Sequence, residues 1–189
     1  MKFLFVHIWR WVKWPVIVLA VSAAVFVALL VWRIFVLADN DKTKEDVARI
    51  HATKLEWSDI NGELPPEPDQ KENNATLAGV DSNQNGIRDD VERAIYFKYK
   101  DNQRITIAAL QYAKELQMEF TEVYNSETLI AVIQEEGRGY GCVNDDDKVK
   151  EIENLVLNND ERYQYGEKIA RKYMVSYTLL NGKDCDITF

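Results

Sequence analysis

Between positions 81 and 92 the chain reads Asp81-Ser82-Asn83-Gln84-Asn85-Gly86-Ile87-Arg88-Asp89-Asp90-Val91-Glu92. Oxygen-bearing side chains fall at the first, third, fifth, ninth and twelfth places of this stretch, and glycine at the sixth. Hard oxygen donors at that spacing around a sharp turn are what a short loop needs to wrap a calcium ion. Asp81, Asn83 and Asn85 would each offer one side-chain oxygen, and Gly86 would make the turn. Ile87 would give its backbone carbonyl, Asp89 would bind directly or through a water, and Glu92 would close the shell with both carboxylate oxygens. Asp90 adds negative charge without a ligand role. Three carboxylates and two amides are a low charge count, so the expected affinity is on the order of 0.1–1 mM or somewhat tighter.

A paired EF-hand loop carries an apolar residue at its eighth place and follows a helix. Here the eighth residue is Arg88, the preceding Ala75-Thr76-Leu77-Ala78-Gly79-Val80 is a poor helix, and no second loop of this pattern occurs. With Ile87 seventh and Asp89 ninth, the segment resembles the calcium repeats of the thrombospondin type 3 class, a single EF-hand-type loop, or half of a dockerin. From Leu64-Pro65-Pro66-Glu67-Pro68-Asp69 to Glu92 the chain is also similar to a segment of bacterial membrane-anchored envelope proteins. That resemblance implies a calcium loop and no particular activity. The alternative is a loop that keeps the turn and has lost the ion.

Other chemistry is sparse. No Gly-x-Ser-x-Gly, His-Glu-x-x-His or Gly-x-Gly-x-x-Gly pattern is present. His51 reads as a solvated or locally hydrogen-bonded side chain, and Glu135-Glu136 as a charged helix end. Gly137-Arg138-Gly139-Tyr140-Gly141 reads as a helix stop and turn rather than an anion cradle. Asn74-Ala75-Thr76 fits a glycosylation sequon, a motif common by chance. No catalytic residue is assigned.

These residues need a scaffold and a place. From Trp14 to Trp32 no charged residue occurs, a run long enough to cross a bilayer as a helix. Trp9, Trp11 and Trp14 sit at one end and Trp32 at the other, the positions that favour a membrane interface. Lys2, Arg10 and Lys13 precede the run, whereas Asp39, Asp41, Glu45 and Asp46 follow it. That bias predicts a signal-anchor in the inner membrane with the N-terminus in the cytoplasm and the remainder periplasmic. Val36-Leu37-Ala38 also satisfies a cleavage site, so a signal peptide removed after Ala38 is the competing reading.

Four of the 23 basic residues and none of the 31 acids precede Asp39, which leaves the rest at a net of −12 (19 basic against 31 acidic). Such a surface repels nucleic acid and anionic lipid and suits cations or a basic protein. Cys142 and Cys185 both lie in this part, and in an oxidising compartment two such cysteines pair. The bridge would close about 44 residues, worth about 4 kcal/mol in the chain-entropy account.

The intervening pattern is helical. Thr43 with Asp46 resembles a capping box for a helix reaching about residue 53, and the Pro- and Asn-rich stretch 61–79 reads as linker. Helices follow from Asp89, through Ile105, Ala109, Tyr112, Leu116 and Phe120, and from Ser126 to Gly137. Another starts at Asn144–Asp147, and a last one carries Tyr165, Ile169, Tyr173, Tyr177 and Leu180 to Asn181-Gly182. The expected fold is therefore mainly α. It comprises a cytoplasmic stub and anchor (1–38), a juxtamembrane helix and linker (39–79), and a small extracytoplasmic bundle with one calcium loop (80–189). The expected function is binding of an envelope protein partner by a membrane-tethered, calcium-stabilised domain. The alternatives are a metal-dependent enzyme or enzyme accessory, and an acidic inhibitor or immunity-type protein that neutralises a basic partner.

Overall fold

Helix formation dominates the chain, and its stops are set by capping side chains. A computed structural model describes residues 2–180 and 184–188, with side chains from residue 13 onward. The side chains of Lys2, Trp9, Arg10 and Trp11 and the Asn181-Gly182 pair lie outside the described residues. Among the described residues there are eight helices and no strand: α1 (Lys2–Ala52), α2 (Trp57–Asn61), α3 (Gln70–Asn73), α4 (Asp89–Tyr99), α5 (Gln103–Thr121), α6 (Ser126–Val143), α7 (Asp146–Val156) and α8 (Asp160–Tyr173). The fold is mainly α, as the periodicity predicts.

The chain divides into two compact units, Met1–Lys44 and Glu45–Phe189. The first is built on α1, which runs without a break past Thr43, so the Thr43–Asp46 cap expected from the sequence does not start a helix. From Trp14 to Leu37 its large apolar side chains are exposed. This helix is long and apolar enough to cross a membrane.

In the second unit α5 is the central element. Nearly every residue from Thr106 to Met118 is buried, so its whole circumference is packed rather than a single stripe. One side meets α4 and α7 through Ile107, Leu110 and Leu116 against Val91, Ile95, Val149 and Ile152, with Leu55 and Ile187 closing the cluster. A second cluster joins Met118 to Ile50 at the end of α1, Leu129 and Val132 on α6, and Ile169 on α8. The helices begin at side-chain caps that satisfy their first free amides: Asn102 accepts from Ile105, Asn125 from Thr128, Asp145 from Lys148 and Asn159 from Arg162. Asn144, left-handed at φ 47°, ends α6 directly before the Asp145 cap of α7.

Three expectations need correction. Helix α6 does not stop at Gly137; it continues to Val143, because Gly137, Gly139 and Gly141 each meet a packed neighbour (Leu179, Tyr112 and Asp184), and packing overrides glycine's poor propensity. Glu135-Glu136 is therefore mid-helix, not a helix end. The last helix closes at Tyr173, and 174–180 are non-helical, so Tyr177 and Leu180 fall off the stripe and are exposed. Cys142 and Cys185 form the expected disulfide.

Candidate metal centre

The twelve-residue stretch folds as a closed loop ahead of α4. Asp81 accepts hydrogen bonds from the amides of Asn85 (3.2 Å) and Gly86 (2.9 Å), which draws the chain into a ring. Gly86 takes φ 85°, a conformation that costs glycine little and other residues more, and Gln84 takes φ 57°. The Asn83 and Asn85 side-chain oxygens accept from the amides of Asn85 and Ile87. The Ile87 side chain is buried in the core and fixes the loop's exit. Asp89 is the first residue of α4, where its Oδ1 accepts from the Ser82 amide (3.0 Å) and its own amide donates to the Val80 carbonyl (2.8 Å). Glu92, one turn further along α4, is buried and reaches back to the loop.

All six residues expected as ligands, Asp81, Asn83, Asn85, Ile87, Asp89 and Glu92, thus belong to one hydrogen-bonded unit. Burial raises the pKa of Asp81 and of Glu92, and the nearby Asp89 charge raises both further. Asp89 Oδ2 is buried with no hydrogen-bond partner. Desolvated, mutually repelling carboxylates and an unpartnered oxygen form a donor set for a hard cation. Against this, Asn83 and Asn85 turn their NH2 groups toward Glu92 Oε2, at 3.1 and 3.0 Å. Among the described residues no three His, Cys, Asp or Glu side chains form a metal-binding group by themselves. The residue types fit calcium. As the loop stands, the Asn83 and Asn85 oxygens accept from its own amides while their NH2 groups face Glu92.

Arg88, at the eighth place, is fully buried and ties the loop to the bundle. Its guanidinium donates to the carbonyls of Leu155 (3.0 Å) and Val156 (3.2 Å) at the C-terminal end of α7 and to Asp90. A cation there meets the negative end of the helix dipole. Arg162, also fully buried, donates from α8 to the carbonyls of Asn73 (2.7 Å) and Leu77 (2.9 Å) and to the side chain of Asn158. The stretch from Asn73 to Leu77 before the loop is thereby held against α8.

The structure brings together two further groups that the sequence does not reveal. His51 Nδ1 lies 2.7 Å from Glu135 Oε1, and Lys54 and Arg138 donate to the other oxygen of this buried carboxylate. Asp186 joins through Arg138 (2.6 Å) and accepts from the Leu55 amide (2.9 Å). The second group comprises the buried Glu115 and the half-buried Glu119 and Glu136; Glu115 and Glu119 stand four apart on α5, beside the apolar stripe rather than on it.

A cleft of about 400 Å³ opens beside the loop, lined by Asp59, Ile60, Glu92, Tyr96 and Leu110 among others. No family model, curated protein or solved structure matches the chain.

Proposed function

We propose that this chain is a membrane-tethered domain outside the cytoplasm, braced by one calcium ion in the 81–92 loop, that binds an envelope protein partner. The observation that carries the reading is the buried, unpartnered Asp89 oxygen within a loop that also holds the desolvated Asp81 and Glu92. Calcium there would relieve the repulsion among three carboxylates and, through Arg88, brace the end of α7. Such a site stabilises rather than switches.

Placement rests on three supports: the apolar helix α1, the excess of basic residues before the span, and a disulfide that belongs to an oxidising compartment. The inner membrane, with the N-terminus inside and the second unit periplasmic, satisfies all three. The partner's expected chemistry is a basic surface, complementary to a net charge of −12 (19 basic against 31 acidic residues after Ala38).

The test is thermal unfolding of the full chain in detergent, with calcium and with chelator, beside an Asp81→Ala/Glu92→Ala variant. Calcium at about ten times its Kd should stabilise the wild-type chain by about 1.4 kcal/mol and leave the variant unchanged. No shift at saturating calcium would sink the reading. Capture from solubilised envelope, repeated in chelator, then asks whether one partner is held in a calcium-dependent way.

A metal-dependent enzyme is the second reading, favoured by one observation: Glu92 is both an expected ligand and a wall of the cleft with Asp59 and Tyr96. Turnover of a small ester or phosphate substrate by the calcium-loaded chain, abolished by Glu92→Ala, would favour it over the binding module.

A further inference from the structure

Carboxylates are the side chains least suited to a helical interior, yet several meet where α5, α6 and α7 adjoin. Glu136 of α6 and Glu119 of α5 share a hydrogen bond, a pairing of two acids that requires a proton between them. The other Glu136 oxygen, Oε1, is buried without a partner. Glu115, one turn before Glu119, is 3% exposed; its Oε1 accepts from Gln111 (2.9 Å) and its Oε2 is buried and unpartnered. From α7, Glu153 faces the same group and accepts from the Tyr112 hydroxyl at 2.9 Å.

The helices come close enough to crowd these acids because glycines stand opposite them. A Cβ on Gly139 would lie 1.8 Å from Glu115 Oε2, and one on Gly166 of α8 would lie 3.1 Å from Glu119 Oε2. The remaining charged neighbours do not neutralise the group. Glu135 and Asp186 add negative charge beside Glu115, and Arg138, the cation facing it, is already paired with both. On α8, Tyr165 faces Glu119 with Lys172 beside it.

We propose that the Glu119–Glu136 pair, flanked by Glu115 and Glu153, is a proton-binding site that holds α6 against α5, and that losing its proton to solvent as pH rises loosens this part of the bundle. Burial pushes Glu115, Glu119 and Glu136 all upward from the ordinary carboxylate range, and in Glu136 the neighbouring acids add to the effect. The folded state therefore retains protons that the unfolded chain gives up above about pH 4.5. Stability conferred by the site is full below that pH and is lost as pH rises through the folded-state titration. This is the reverse of a surface ion pair such as Lys98–Glu151, which weakens in acid.

The experiment uses the full chain in detergent. Its melting temperature and its infrared carbonyl band for protonated carboxylic acid are followed from about pH 5 to about pH 9, the range in which, among carboxyl groups, only a raised one still titrates. Glu136→Gln and Glu119→Gln preserve the inter-helix hydrogen bond without needing a proton, and Glu151→Gln is the surface control. The wild-type chain should show the band at neutral pH and lose both band and several degrees of stability toward alkaline pH. Each pair variant should show that band weakened, with the Glu115 contribution left in place, and melt with a shallower pH dependence, while the control follows the wild type. A wild-type chain with no protonated carboxyl at neutral pH overturns the proposal, and so do pair variants with the wild-type pH slope. If neither variant folds, the wild-type band decides alone: titration in step with the loss of stability supports the site, and its absence overturns it.

Discussion

Arg88 and Asp89 are neighbours with opposite electrostatic situations. Arg88 is buried and fully engaged, whereas Asp89 is buried with one oxygen unengaged. Arg88→Met keeps most of the volume but orphans the Leu155 and Val156 carbonyls and leaves Asp90 without its cation. The expected loss is about 3–5 kcal/mol in denaturant unfolding, with calcium present or not. Asp89→Asn should do the reverse in chelator, holding or raising stability because a repelling charge is gone, while the stabilisation by calcium disappears. Asp81 and Glu92 are raised acids, so in chelator they too remove stability as pH rises above about 4. Saturating calcium should flatten that part of the slope, which Glu136→Gln leaves in place. The closed turn at 81–92 was legible from spacing alone, because the hydrogen bonds that make it are local. The roles of Arg88 and Arg162 were not, since the carbonyls they donate to stand 67 or more positions away.

Among the elements, α5 and α6 show most plainly where periodicity informs and where it misleads. The stripe Ile105, Ala109, Tyr112, Leu116 was visible as one face, yet α5 is packed all round, so Glu115 and Lys114 are as enclosed as Leu116. A polar residue at a buried position looks like surface until its partners are known. The glycine run of α6 looks like a stop for the related reason that small side chains at a close helix crossing have the same sequence signature as a stop. Gly139→Ala tests the crossing. Its Cβ would strike Glu115 Oε2 and come within 3.0 Å of the Tyr112 backbone, so α5 and α6 must separate. The expected cost is about 1–3 kcal/mol, read as a lowered denaturant midpoint with calcium affinity unchanged. The stretch 174–180 was drawn into α8 by a chance spacing of Tyr173, Tyr177 and Leu180. Its Val175 and Thr178 favour extended backbone, and the Thr178 carbonyl instead accepts from Gln134.

At the scale of the whole molecule, the C-terminal segment is fastened three ways near one point. Cys185 is bonded to Cys142, Asp186 accepts from Arg138 and the Leu55 amide, and the Asp186 amide donates to Gln111. Reduction should lower stability by about 2–4 kcal/mol and leave the far-ultraviolet helix signal largely intact, checked by melting with and without a reductant. The pairing was legible because only two cysteines exist; the ion pairs around it, which join residues from both ends of the second unit, were not.

The 43-residue separation of the bridge sets an order of events during biogenesis. Cys142 emerges before α7 and α8 exist, so its thiol must wait for a further 43 residues, a few seconds at about 5–20 residues per second. During that interval α5 and α6 have already left the ribosome, and the Cys142 thiol is open to any oxidant or foreign thiol it meets. Pairing in order therefore requires Cys185 to arrive before a foreign thiol does, and a mixed disulfide at Cys142 is the expected off-pathway product.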